Sequence, residues 1–142
     1  MTAKKMTPEK LRGVARKLLA KRYDPKSRRH VVVASAILTR AGNIYTGINI
    51  RTTQPDLSSC AEMMAVGAAH AAEENVIVDM VVVVRGSTGY VVSPCGRCRE
   101  YIYDYGTPDT MVAIPCDGGA DDAYKMVPVK ELLPSKYEKK HD

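Results

Sequence analysis

Apolar positions along this chain switch between a helical and an extended spacing. Leu11, Val14, Leu18 and Leu19 recur at helical intervals among charged residues, which predicts an amphipathic helix. Thr7-Pro8-Glu9 supplies its start, with Thr7 as cap and Pro8 in the first turn, and Asp24-Pro25 stops it after about Tyr23. Residues 31–39 are rich in β-formers, Arg40-Ala41-Gly42-Asn43 carries turn chemistry, and residues 44–50 alternate as a second strand, so the pair reads as a hairpin. Beyond a polar loop over 52–56, residues 58–74 are rich in Ala and Met. The small residues Ala65, Gly67, Ala68, Ala69, Ala71 and Ala72 predict a closely packed, buried helix there. Residues 76–84 form a nearly continuous apolar run, as in a strand covered on both faces. Residues 90–92 extend the sheet or lead out of it. A helix over 94–105, a strand over 110–114 and a short terminal helix over 129–133 complete the reading. Strands alternating with helices predict a three-layer α/β/α domain, whose opening hairpin makes its sheet, of about five strands, mixed.

Composition narrows this picture. With 142 residues, 45% hydrophobic and 26% charged, the chain can bury a core of its own, and a single domain over 1–142 is expected. Residues 1–30 are read as its basic N-terminal helix and loop, and 134–142 as a charged tail. No apolar run approaches the roughly 18–20 residues of a membrane span, and Met1-Thr2-Ala3-Lys4-Lys5 leads into no signal-peptide core. The expected compartment is the cytoplasm, where thiols stay reduced. A formal charge of +5 raises nucleic acid as a partner. Much of that charge sits at the two ends, from Lys4 to Arg29 and again at Lys136, Lys139 and Lys140. The chain has neither Phe nor Trp, so only its eight tyrosines could stack on bases. Both facts weigh against nucleic acid.

Candidate chemistry concentrates in two short segments, Cys60-Ala61-Glu62 and Pro94-Cys95-Gly96-Arg97-Cys98. Three sulfur ligands suit Zn²⁺ and leave a fourth position open for water, as catalytic zinc requires. Cys95 and Cys98 alone would also fit a redox pair at a helix start, but such a pair has no use for a third thiol beside a carboxylate. A structural zinc site would need a fourth ligand, and Cys116 has no partner at ligand spacing. His30, His70 and His141 are read as structural or solvated for the same reason, and Gly86-Ser87-Thr88-Gly89 as a turn. Cys95 and Cys98 share one helical face. Cys60 and Glu62 do not share one by periodicity.

The pattern C-A-E followed by P-C-x-x-C resembles the zinc-dependent cytidine deaminase superfamily. That resemblance implies the cytidine deaminase-like fold, one Zn²⁺ per chain on Cys60, Cys95 and Cys98, and Glu62 as general acid and base. It places Cys60 at an irregular first helical turn. Three thiolates would leave the metal cluster at a net of about −1, and Arg97, lying between two of the ligands, is the candidate to offset that charge. A small-molecule cytosine nucleoside would be deaminated at C4 with release of ammonia, and a homotetramer is the implied assembly. Residues 42–49 resemble the strand that carries a substrate-binding Asn in nucleoside deaminases, where Asn-x-Glu grips ribose. Here Asn49 is followed by Ile50-Arg51, and a cation replaces the carboxylate, which favours an acidic substrate group. Residues 33–36, 93–99 and 131–137 look more like the blasticidin S deaminase branch. Blasticidin S is a cytosine nucleoside with a carboxylated sugar, which gives Arg51 a partner. By that resemblance Asn49, Ser35 and Tyr137 would also meet substrate. Cytidine or deoxycytidine deamination is the alternative, ahead of a polynucleotide deaminase or a non-catalytic zinc protein.

Overall fold

Thr7 begins the first helix, α1 (Pro8–Arg22), by accepting the Lys10 N–H on its hydroxyl at 3.2 Å, so one orphan N-terminal donor is satisfied. The computed structural model describes residues 5–116 and 122–138. Lys4, Lys139, Lys140 and His141, named above, lie outside them. Six strands follow α1: β1 (Val33–Thr39), β2 (Ile44–Ile48), β3 (Val78–Arg85), β4 (Tyr90–Val91), β5 (Gly106–Pro115) and β6 (Tyr124–Pro128). Helix α2 (Ala61–Ala72) lies between β2 and β3, α3 (Gly96–Asp104) between β4 and β5, and a 3₁₀ turn (Val129–Leu132) after β6.

The strands form one mixed sheet in the order β2-β1-β3-β5-β6, with β4 paired to the end of β3. Only β3 and β5 pair in parallel, and the other pairings are antiparallel. The sheet thus has six strands against the expected five or so. The surplus is β6, whose mixed sequence Tyr-Lys-Met-Val-Pro has little alternation, and β5 starts at Gly106, earlier than the expected 110, although Gly-Thr-Pro-Asp-Thr reads locally as a turn. The terminal element is a single 3₁₀ turn.

The period of two along each strand creates three layers. On one face Ala34, Ala36, Val82, Val84 and Ala113 pack under Leu11, Ala15 and Leu19 of α1. On the other, Ile37, Val81, Val83 and Val112 pack under Ala65, Val66 and Ala69 of α2 and Ile102 of α3. Leu11 and Leu19 each contribute about 1.5–3 kcal/mol by leaving water. The basic face of α1 is partly engaged as well: Arg12 and Arg16 both bind the Asp122 carboxylate, which also accepts the Val91 N–H at 3.1 Å. In the C-terminal segment Lys136 bridges Glu100 and Asp104. No described helix is long and apolar enough to cross a membrane.

Two glycines are required by geometry. Gly42, at φ +92°, closes the β1–β2 hairpin in a conformation L-residues avoid. Gly47 in β2 lets α2 approach: a Cβ there would overlap the Ala61 carbonyl oxygen and lie 2.6 Å from Ala65 N. That contact fixes the height of α2, and of its first turn, above the sheet.

Candidate metal centre

Because β2 and β3 each lie antiparallel to β1, they run in the same direction, and their carboxyl ends open at one edge. Crevices at such ends are where α/β sheets bind ligands. The chain leaves β2 through a loop closed by two reciprocal bonds, Ile50 N–H to Ser59 O at 2.9 Å and Ser59 N–H to Ile50 O at 2.8 Å. That closure returns Cys60 to the strand end. The chain leaves β3 through the turn at Gly86, returns as β4, and continues with Val92 N–H donating to Val83 O at 3.0 Å. Cys95 is thereby brought to the same edge.

Both cysteines occupy N-cap positions with extended backbone, Cys60 before α2 and Cys95 before α3. Neither thiol caps its own helix. This answers the periodicity objection: Cys60 stands outside the helix, so it and Glu62 can face a common point. Cys98, in the first turn of α3, is fully buried. The three sulfurs lie within 4.8 Å of one another, with Cys60 and Cys95 Sγ 3.7 Å apart. Two sulfurs on tetrahedral zinc with bonds of about 2.3 Å stand roughly 3.8 Å apart. The donor set therefore fits zinc in both chemistry and spacing, and the positive ends of two helices face it.

Without a cation the ionised forms in this cluster are disfavoured. Burial, then the negative charge of Glu62, Cys60 and Cys95, pushes the Cys98 thiol well above its ordinary range. Burial likewise raises Cys60, with Cys95 and Glu62 adding to it and a hydrogen bond from Cys98 opposing it. Glu62 is 3% exposed, and burial lifts its carboxyl, partly offset by its own backbone N–H and by Cys98. A divalent cation held by the three sulfurs would reverse this by favouring the thiolates.

Above the sulfurs lies a cavity of about 580 Å³. Val33, Val83 and Val92 give it apolar lining, Glu62, Cys60 and Cys95 line it from the cluster, and Asn49, Arg51 and Arg97 are among the polar lining residues. Asn49 is already engaged: Val32 and Val33 N–H donate to its Oδ1 at 2.9 and 3.0 Å, and its Nδ2 donates to His30 O at 3.0 Å. It ties segment 30–33 to the end of β2, so it shapes the cavity wall through the main chain. Arg97 is exposed at the cavity and makes no hydrogen bond to a thiolate among the described residues. The structure does not bring Ser35 or Tyr137 to this cavity. Ser35 is buried in β1 beneath α2 and donates to Val82 O at 3.3 Å. Tyr137 is 78% exposed and lines a separate depression with Tyr103 and Lys136.

Of the residues set aside above, His30 lines the cavity and donates from Nδ1 to Pro25 O at 2.9 Å. His70 meets Tyr105 edge-on, and Cys116 follows β5 away from the cluster. Sequence reasoning missed Arg85, which ends β3 and lines the cavity. Its signal was a cation closing an apolar strand just before a glycine turn.

Comparison with known proteins places these features among relatives. The model of the cytidine and deoxycytidylate deaminase zinc-binding region matches residues 6–114. A blasticidin-S deaminase of Bacillus cereus is 36% identical over 114 residues, covering 74% of this chain and 76% of that protein. A cytidine deaminase of Mycobacterium tuberculosis (strain ATCC 25618 / H37Rv) is 32% identical over 105 residues, with 74% and 76% covered. The crystal structure of cytidine deaminase from Mycobacterium tuberculosis superimposes with a TM-score of 0.75 at 27% identity, covering 95% of this chain and all (100%) of that one. Cytidine deaminase from Burkholderia pseudomallei gives 0.73 at 27%, with 93% and 100% covered.

Proposed function

This chain belongs to the cytidine and deoxycytidylate deaminase zinc-binding family, and we propose that it hydrolyses the C4 amino group of a cytosine nucleoside. Water replaces the amine, giving the uracil form and ammonia. The observation that carries the reading is the trio of sulfurs within 4.8 Å of one another, two of them at the 3.7 Å of a tetrahedral zinc pair, with a buried carboxylate beside them and a cavity next to them.

Cys60, Cys95 and Cys98 would hold the zinc, which when bound supplies the Lewis-acid activation of the attacking water. Glu62 carries the protons. Its carboxylate takes one from the attacking water and delivers it to ring N3, and then carries the remaining proton to the amine as the C4–N bond breaks. Burial raises its carboxyl above the ordinary carboxylate range, which makes it a better proton acceptor. Val33, Val83 and Val92 offer apolar surface to a flat pyrimidine. Asn49 acts as a positioning residue for that wall.

Within this class the proposed substrate is blasticidin S or a related cytosine nucleoside bearing an acidic group. Support comes from the 36% identical relative and from Arg51, where a ribose-gripping carboxylate would stand. Cytidine or deoxycytidine is the second reading, favoured by relatives and solved structures that are cytidine deaminases. The proposed assembly is a homotetramer, for which the exposed Gly67 and Ala68 on α2 offer a close-packing face. Ammonia release from blasticidin S, cytidine, deoxycytidine and a cytosine oligonucleotide, with Glu62→Gln as control, tests the reading. Turnover of a free nucleoside supports it. Turnover of the oligonucleotide alone, or of nothing, overturns it.

A further inference from the structure

The cavity above the sulfurs carries more positive charge than the zinc chemistry needs. Arg51 after β2, Arg85 at the end of β3 and Arg97 in the first turn of α3 all line it, and all three are exposed. None makes an ion pair with a described residue, whereas Arg12 and Arg16 are matched by Asp122 and Arg40 by Asp79. Among the described residues Glu62 is the one carboxylate in the lining, and it is buried. Three thiolates on Zn²⁺ leave a net charge of about −1, which a single cation offsets. Ionised Glu62 offsets a second, and one guanidinium remains without a counter-charge.

The surplus extends outward. A second cavity of about 920 Å³ shares Arg51, Pro55 and Ser58 with the first and is further lined by Ser27, Arg28, Thr52 and Thr53. None of these is acidic, and the nearby Asp56 lines neither cavity. A concave wall bearing charges of one sign focuses potential and raises the local concentration of the opposite ion. Guanidinium forks match carboxylate and phosphate in shape as well as charge. The arrangement is therefore complementary to an acid group displaced outward from the ring that sits over the sulfurs.

We propose that Arg51 and Arg85 form an anion subsite that selects cytosine nucleosides carrying a phosphate or carboxylate on the sugar over neutral nucleosides. This deepens the deaminase reading and rests on it for the identity of the ring. It also adds Arg85, on a different strand end from Arg51, as a specificity-determining residue.

The test is calorimetric binding to zinc-loaded Glu62→Gln protein, which binds without turnover. The ligands share one scaffold: deoxycytidine, its 5′-monophosphate and its 5′-carboxylate. At low ionic strength the favoured acid should bind roughly tenfold or more tighter than deoxycytidine, and the two acid arms tell phosphate from carboxylate. The preference should shrink with added salt, collapse toward parity when Arg51→Gln and Arg85→Gln are combined, and return in part with Arg51→Lys and Arg85→Lys. Both side chains are exposed, so folding should survive, and circular dichroism with zinc content confirms it. Equal affinity for all three ligands, or a preference that survives the double Gln variant, overturns the subsite. The two readings fail separately. Anion preference without ammonia release in the parent protein keeps the subsite and ends the deaminase reading. Faster turnover of deoxycytidine than of either acid, with no binding preference, does the reverse.

Discussion

Replacing Gly47 by alanine should damage the metal centre from beneath, although Gly47 touches none of its ligands. The added Cβ would overlap the Ala61 carbonyl oxygen and lie 2.6 Å from Ala65 N and 2.8 Å from Met64 Cβ. Two of these three atoms are helix backbone, so no rotamer change relieves the overlap and α2 must lift. Overpacking of a rigid site costs about 1–3 kcal/mol, with backbone clashes at the upper end, which for a domain of this size is a fall in Tm of roughly 10 °C. Ala61 lies between Cys60 and Glu62, so the same movement pulls Cys60 away from Cys95. Zinc affinity, read by competition with a chromophoric chelator, should fall at least about tenfold, as when support for a ligand is lost. Gly13→Ala is the control: its Cβ meets nothing within 4 Å, and a helical alanine should stabilise by about 0.5–1 kcal/mol. A Gly47→Ala protein that melts with the parent and binds zinc as tightly would refute the claim that this contact sets the height of α2.

Three further outcomes are expected. Glu62→Gln should lower kcat by about 10²–10⁴-fold while retaining one zinc per chain by elemental analysis; loss of metal together with activity would assign Glu62 a structural role instead. Asn49→Ala removes the acceptor of two backbone N–H groups and the donor to His30 O, and should cost about 2–3 kcal/mol in urea unfolding, with Asn49→Asp milder because the acceptor survives; an unchanged midpoint would show that segment 30–33 holds itself. Glu73 is held below its ordinary pKa by hydrogen bonds from Asn43, Tyr45 and Thr39. Its contribution is therefore complete above the unfolded value near 4.3 and disappears as pH falls through the lower folded value. Glu73→Gln should melt below the parent at pH 7 and converge with it in acid, and a Tm gap independent of pH would contradict this.

Much of the architecture was legible because local and global signals agree. Thr7 and Pro8 start α1, the run over 76–84 becomes a strand buried on both faces, and the two cysteine segments begin helices. β6 was not legible, since Lys125 and Pro128 break its alternation and its pairing with β5 is a tertiary fact. The metal cluster was legible from residue types, whereas the irregular helix start at Cys60 was expected only from family resemblance, and the structure puts Cys60 at the N-cap, outside the helix. Asn49 shows the opposite limit. Its sequence neighbourhood advertises a polar contact, but its partners lie in segment 30–33, and no local pattern reveals that they occupy its amide. Arg85 was hidden for a related reason: its importance lies in sharing a cavity with Arg51, which the strand order brings about.

The most direct test of the central claim is a zinc titration of metal-stripped protein with cytosine-nucleoside deamination followed in parallel. Activity should rise with added zinc and break at one equivalent per chain, and Glu62→Gln should bind the same equivalent and remain silent. One zinc bound per chain without release of ammonia, or deamination undiminished in the stripped protein, would contradict the account.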